Sequence, residues 1–462
     1  MSAQSSASNC SQLGQRLGLR GLAFAILPAQ QRQISIDMIF PLFPPTGTTA
    51  PVLNGGRGAE KSLLQPRPIH GRVNGNFQEV IHSPQGAPSA GACLVLGLAR
   101  PVSYCPRVLA TFTQQLKDNA PLSATQIAQA VAGLTAETVA AEAKADFLSA
   151  LAAKGETVEE IAAFAGELRA LSVLPPLDEA TRAGEILDVC GTGGDRLNTF
   201  NISTTVAILA AAAGVTVAKH GNRAITSQSG SADVLEALGI RVDLDPEQAA
   251  QSLREHQFAF FFAPRYHPAF KHIAPARKLC AERGQRTIFN FLGPLLNPAR
   301  PSAQLMGVPR PELCEPMARV LQALGTRRGM VVCGEIQPGA TGGAAGLWLD
   351  EFSTFGSTQV AEFYQERGFH VSSLSARDFP VQSGTLQDLV GGDRAANAAI
   401  LCEILAGRER GPKRDAVLLN AAAALFVANR VKSLAEGWQL AGEVIDSGRA
   451  TRKLDALAAA FR

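Results

Sequence analysis

From residue 108 onward the apolar positions fall at three- and four-residue intervals. Ile127, Val131 and Leu134 behind Leu122-Ser123 predict a first helix. A second is predicted to run to about Lys154, where Gly155 supplies a left-handed stop. Thr157-Val158-Glu159-Glu160 has the form of a capping box, and Ile161, Phe164, Leu168 and Leu171 form one apolar stripe behind it. Three short helices make residues 108–180 a small helical domain. Pro175-Pro176 and the charged stretch to Glu185 then read as a linker.

Past Glu185 the period changes. Short buried-type strands are predicted at 186–190, 215–218, 258–263 and 329–333, with helices at 201–213 and 232–238 and more over 394–460. Strands alternating with helices make residues 186–462 an α/β domain, its central and mainly parallel sheet flanked by helices. A segment near 264–300 is expected to pack with the helical domain. Ligands of such sheets bind beyond the carboxyl ends of the strands, in the loops that lead into helices.

Residues 1–107 follow neither pattern. Phe40-Pro41-Leu42-Phe43-Pro44-Pro45 and Asn54-Gly55-Gly56-Arg57-Gly58 interrupt the backbone too often for regular structure. Two readings stand side by side: a disordered or targeting extension, or residues upstream of a true translation start near Val108. The segment is basic, nine Lys/Arg against three Asp/Glu, so the formal +3 of the whole chain leaves −3 on the remainder. That balance makes no case for nucleic acid or an anionic membrane surface.

An apolar fraction of 46% and a charged fraction of 18% over 462 residues describe a globular chain of two or three domains. No apolar run approaches the ~20 residues of a membrane span. The eight cysteines include no C-x-x-C pair, which argues against a disulfide framework and a structural zinc site. A reducing, cytoplasmic compartment is expected, or an organelle if residues 1–107 are a genuine transit peptide.

The polar chemistry gathers in three loops. After the first strand, the glycines of Gly191-Thr192-Gly193-Gly194-Asp195 let the backbone turn sharply and aim N–H groups at an anion. Asp195 would repel a bare phosphate unless a hydroxyl or a metal intervened. Asn198-Thr199-Phe200-Asn201-Ile202-Ser203-Thr204 adds amides and hydroxyls at a helix start, where free N–H groups favour phosphate. The spacing fits neither a dinucleotide fingerprint nor a P-loop. After the second strand, the run from Lys219 to Asp233 sets two cations, an imidazole and several hydroxyls around two glycines, which suits a polyphosphate. Beside such loops, Asp350-Glu351 are candidate Mg²⁺ ligands.

Together, Gly191-Thr192-Gly193-Gly194-Asp195, Asn201-Ile202-Ser203-Thr204, Lys219-His220-Gly221-Asn222-Arg223 and Ser229-Gly230-Ser231-Ala232-Asp233 closely resemble the anthranilate phosphoribosyltransferases. So do His267-Pro268-Ala269, Arg286-Thr287-Ile288-Phe289-Asn290, Leu292-Gly293-Pro294-Leu295 with Asn297-Pro298, and Leu349-Asp350-Glu351. The resemblance runs over about residues 108–462 and implies a nucleoside phosphorylase/phosphoribosyltransferase-like fold. It implies transfer of the phosphoribosyl group of phosphoribosyl pyrophosphate to the amine of anthranilate, giving N-(5-phosphoribosyl)anthranilate and pyrophosphate in tryptophan biosynthesis.

By the same resemblance, Gly191, Gly194, Asp195, Thr199, Asn201, Ile202, Ser203 and Thr204 would bind the donor. Lys219, His220, Gly221, Asn222, Arg223, Ala224, Ile225, Thr226, Ser227 and Ser231 would complete that pocket. Gly191, Asn222 and Arg277 would bind anthranilate, and Ser203, Asp350 and Glu351 would hold Mg²⁺, two ions per subunit. No general base is implied, although His220 stays open. The family is usually a homodimer with the helical domain at its interface.

This chain departs from the family twice. Thr226 stands where Ser is usual, and about ten residues near 336–346 are inserted before Asp350-Glu351. Two other readings compete. A pyrimidine nucleoside phosphorylase would carry a different Lys/Ser/Arg set in place of Lys-His-Gly-Asn-Arg. A non-catalytic, nucleic-acid-binding relative would need a basic surface and eroded donor loops.

Overall fold

The computed structural model describes residues 107–224, 228–365 and 367–461, so both readings of the N-terminal segment fall outside the described residues. The bundle has four helices where three were expected: Arg107–Lys117, Ala124–Thr135, Ala141–Lys154 and Val158–Ala170. The first is rich in Thr and Gln and buries Leu109, Phe112 and Leu116 together with Thr113. Ser123 and Thr157 close capping boxes with Gln126 and Glu160, and Gly155 ends its helix at φ 85°. Leu171 corrects the predicted stripe: it lies past the last turn and is 46% exposed. The linker holds a short helix, Glu179–Ala183, capped by Asp178.

Eight strands form one sheet. They are β1 (Ile186–Gly191), β2 (Thr216–Gly221), β3 (Phe258–Phe262), β4 (Ala303–Gly307), β5 (Arg328–Ile336), β6 (Leu347–Leu349), β7 (Ser357–Tyr364) and β8 (Gly368–Ser375). The order is β3-β2-β1-β4-β5-β7-β8, parallel from β3 to β5 and antiparallel beyond, with β6 antiparallel on the end of β5. The chain runs outward from β1 through β2 to β3, then returns to the other side of β1 as β4. That reversal puts a crevice at the carboxyl ends of β1 and β4, where open α/β sheets take ligands.

Each sheet face has its own core. On one, the helix Ile202–Ala212 and the helix Pro412–Val427 are buried along nearly their whole length against β1, β4 and β5. On the other, the bundle and the segment after β3 share a single apolar cluster. Phe147, Leu148 and Phe164 of the bundle lie with Ile273, Ile288, Leu295, Met306 and Val331. Polar contacts line the same seam, including Arg283 to Asp146 at 3.0 Å and Ser149 to Gln285 at 2.5 Å. No helix of the described residues is long and apolar enough to cross a membrane.

The insert has a simple shape. After Ile336 an exposed turn holds the 3-10 segment Pro338–Ala340 and returns as β6, pairing Ile336 with Leu347 and Gly334 with Leu349. The excursion closes on itself. The pairing sets Leu349 beside Gly334, and Asp350 follows directly.

Candidate active site

Three adjacent strands of this crevice carry a glycine where the chain crosses them. A Cβ on Gly191 would fall on the Asp350 carboxylate, and one on Gly307 on the Asp350 backbone carbonyl. One on Gly334 would stand 2.6 Å from the Glu351 carbonyl. Residues 350–353 thus lie across β1, β4 and β5, a path open only because those strands lack side chains there. Asn420, wholly buried on Pro412–Val427, fixes the crossing: its Oδ1 accepts from Phe352 N at 2.9 Å and its Nδ2 donates to Phe352 O at 3.2 Å.

The glycine loop after β1 meets that crossing. Thr192 N extends the ladder to Gly307 O at 2.9 Å, and Gly193 N donates to Asp350 Oδ2 at 2.8 Å. Gly193 and Gly194 have φ of 70° and 94°, which only glycine adopts at low cost. Glu351 accepts the backbone N–H of Ser203 at the start of Ile202–Ala212. Burial, repulsion from Asp195 and repulsion from Glu351 hold the Asp350 carboxyl well above its usual range. Burial pushes Glu351 up to about 8, against the pull of Lys219. Carboxylates that repel one another out of bulk water are a donor set suited to a divalent cation. Among the described residues no three His, Cys, Asp or Glu groups gather tightly enough to hold an ion unaided. Mg²⁺ asks for less: one or two carboxylates, with phosphate oxygens and water completing the shell.

Below this layer lies a cation. Lys219, on β2 and 2% exposed, donates from Nζ to Val189 O at 2.7 Å and to Ser203 Oγ at 3.3 Å. Burial lowers its pKa, while Asp188 and Glu351 oppose the shift. Asp188 is wholly buried, accepts from Asn297 Nδ2 at 2.9 Å, and is raised to about 6 by its burial. Strand β2 runs on to Gly221, so Lys219, His220 and Gly221 are strand residues and not the loop expected from sequence.

The other predicted donor residues divide. Asn201 donates to Ser229 O at 3.3 Å and accepts from Asn397 Nδ2 at 2.9 Å, joining the two donor loops. Thr204 Oγ1 and Ser229 Oγ are buried hydroxyls without a hydrogen-bond partner among the described residues, which is where a ligand acceptor would fit. Thr199 forms a bridge with Val390, and Ile202 packs its side chain into the core. Ser231 opens the helix Ser231–Ala237 against Gly221, where a Cβ would strike its hydroxyl. Asp233 accepts from Ala224 N and Gly230 N, both at 2.9 Å, and ties the loop shut. Arg223 is drawn the other way: its guanidinium makes two 2.6 Å contacts with Glu236 and one of 3.3 Å with Asp233. Asn222 Oδ1 accepts from Arg223 N. Ile225, Thr226 and Ser227 lie outside the described residues.

His220 has no free nitrogen for a base. Nδ1 lies 3.1 Å from Gly293 O and Nε2 lies 3.2 Å from His267 Nε2. Burial, then His267, lowers His220 to about 3, and burial lowers His267 to about 4. His267, absent from the predicted site, begins a row of rings. It meets Phe270 at 5.4 Å, Phe270 meets Phe289 at 5.6 Å, and the Arg277 guanidinium sits 5.3 Å over Phe289. Arg277 is half-buried on the helix Ala274–Glu282 and pairs with no carboxylate among the described residues. The motif His267-Pro268-Ala269 was the signal that could have found this wall.

A helical bundle beside a mainly parallel sheet, with a glycine loop met by crossing carboxylates, is the arrangement of a glycosyl transferase family whose two domain models both match this chain. The family's helical bundle domain matches residues 110–172 and its a/b domain matches residues 183–451. Anthranilate phosphoribosyltransferase of Petrotoga mobilis is 45% identical over 344 residues, covering 74% of this chain and 94% of its own. That of Caulobacter vibrioides is 46% identical over 313 residues, covering 68% and 85%. Among solved structures, the Thermus thermophilus enzyme superposes with a TM-score of 0.67 at 39% identity, over 75% of this chain and 98% of that one. The Saccharomyces cerevisiae enzyme in complex with PRPP and Mg gives 0.66 at 28% identity, over 77% and 98%. The chain belongs to the anthranilate phosphoribosyltransferase family.

Proposed function

We propose that this protein transfers the phosphoribosyl group of phosphoribosyl pyrophosphate to the amine of anthranilate, in tryptophan biosynthesis. The observation that carries the reading is the crossing of Asp350-Glu351 over Gly191, Gly307 and Gly334, with Glu351 on the Ser203 N–H and Lys219 on the Ser203 hydroxyl. It sets a carboxylate pair, a buried cation and a helix N-terminus around one glycine loop. Those are the groups that a sugar phosphate with a pyrophosphate leaving group requires.

In the reaction the bond from the anomeric carbon to pyrophosphate oxygen breaks, and a bond from that carbon to the anthranilate nitrogen forms. The amine gives up one proton, which passes to the departing pyrophosphate or to water. The glycine loop at Gly194-Asp195, the start of Ile202–Ala212 and the buried hydroxyls of Thr204 and Ser229 bind and orient the donor. Lys219 stabilises charge that gathers on the leaving oxygen. Ser203, Asp350 and Glu351 would hold Mg²⁺, which when bound neutralises pyrophosphate charge. We assign two ions per subunit to this set. Arg277, with no carboxylate partner among the described residues, pairs with the carboxylate of anthranilate, while the rings of Phe289 and Phe270 flank an aromatic acid. An aromatic amine is already neutral near pH 7, so no strong base is needed, in keeping with the occupied nitrogens of His220. A cytoplasmic homodimer completes the proposal, on the strength of the family resemblance.

The test is loss of anthranilate fluorescence in the presence of phosphoribosyl pyrophosphate and Mg²⁺. Steady fluorescence with all three components present would overturn the reading.

A further inference from the structure

Two buried cations of the bundle reach across to carbonyls of the segment that carries Arg277. Lys144, 2% exposed on Ala141–Lys154, donates from Nζ to Ala136 O at 2.7 Å and to His272 O at 2.8 Å. Ala136 closes the preceding helix, so one ammonium joins two bundle elements to the 3-10 turn Pro268–His272. Arg169, 7% exposed at the end of Val158–Ala170, donates from Nε to Leu295 O. Two residues before Leu295, Gly293 O faces Nδ1 of His220.

Neither cation forms an ion pair among the described residues, and burial lowers both pKa values, that of Arg169 to about 10 with Arg300 adding to the shift and Asp188 opposing it from beyond contact. Burying a cation without a counter-ion is costly, and an apolar side chain would hold two packed elements together at less cost. An apolar contact, however, tolerates sliding. A charged donor fixes the position of the carbonyl it meets. His272 lies midway between His267 and Arg277 in sequence, so the carbonyl that Lys144 holds belongs to the turn that delivers both.

We propose that Lys144 and Arg169 are positioning residues: from the bundle they set where Arg277 and the ring-lined wall stand against β2, and so set how well anthranilate is bound, without touching either substrate. This rests on Arg277 as the partner of the anthranilate carboxylate.

The test is two-substrate kinetics on Lys144→Met, Lys144→Arg, Arg169→Lys, Arg277→Ala and the Lys144→Met/Arg277→Ala double variant. Lys144→Met is expected to raise the anthranilate KM about ten- to a hundredfold while the donor KM stays near the parent value. Lys144→Arg, which keeps a buried donor cation, should recover much of that loss. The double variant should be no worse than Arg277→Ala alone, because the lysine acts through the arginine. Arg169→Lys should raise the same KM, and it carries the comparison if Lys144→Met does not fold.

An unchanged anthranilate KM in Lys144→Met, beside a disabled Arg277→Ala, overturns the positioning role alone. Equal rises in both KM values overturn it too, since they mark a general loss of structure. An Arg277→Ala variant with unchanged anthranilate use overturns the carboxylate assignment, and the route through Arg277 with it.

Discussion

The backbone carbonyl of Asp350 occupies the space in which a side chain on residue 307 would stand. Gly307 is the last residue of β4, in register with Gly191 on β1. Gly307→Ala is therefore expected to push 350–351 off the crevice. Turnover should fall on the order of a hundredfold, with a stability loss of about 1–3 kcal/mol from overpacking. Gly166→Ala is the control: it sits in the helix Val158–Ala170 with open space around it. That change should stabilise by about 0.5–1 kcal/mol and leave kinetics alone. Thermal melts and kcat on both variants check the pair.

Replacing Asp350 with Asn and Glu351 with Gln keeps size and the acceptor for Gly193 N while removing two charges. The variant should need at least about tenfold more Mg²⁺ for half-maximal activity. Both acids have folded pKa values raised above their unfolded ones, so their ionised forms weaken the metal-free fold at neutral pH. Tm without Mg²⁺ should accordingly be no lower than the parent's. A Mg²⁺ titration of activity, with melts in chelator, decides both points.

Arg277→Lys keeps the charge but loses the planar fork that fits a carboxylate. It should raise the anthranilate KM about tenfold or more, with the donor KM little changed. Initial rates over a grid of both substrates separate the two constants. A donor defect of equal size would remove Arg277 from the acceptor side.

Acid should weaken the histidine pair. His220 and His267 are buried neutral, with folded pKa values of about 3 and about 4 against an unfolded value near 6.5. Their contribution is complete above the unfolded value and is lost as pH falls from about 6.5 towards the folded values, on the order of 1 kcal/mol per pH unit for each ring. Raised acids such as Glu351 pull the other way, so the readout is a difference. Urea unfolding of the parent and of His267→Gln between pH 7 and pH 5 should show the parent losing relatively more.

The sequence disclosed what is local. Gly191-Thr192-Gly193-Gly194, the capping boxes at Ser123 and Thr157, and the alternation of strands and helices each follow from neighbours a few residues apart. It hid what depends on a distant segment. Gly307 lies in no predicted strand and Gly334 just past one, and their part shows only when residues 350–353 are seen to lie across them. Arg223 reads as an anion ligand, yet Glu236 lies one helix further on and takes its guanidinium. Nothing in the sequence marks Lys144, which is buried on two carbonyl partners, one of them 128 residues away.

The insert between Ile336 and Leu347 has a use beyond this molecule. Its two ends are neighbours on adjacent strands, its turn faces solvent, and the residues that matter begin only after the strands have paired again. A guest peptide, an epitope or a whole folded module spliced in near Gly342-Gly343 would enter and leave at one point of the surface. The host would register its arrival only through the hairpin base, which makes this loop a natural graft point on a molecule that has no room for a single added methyl group at Gly307.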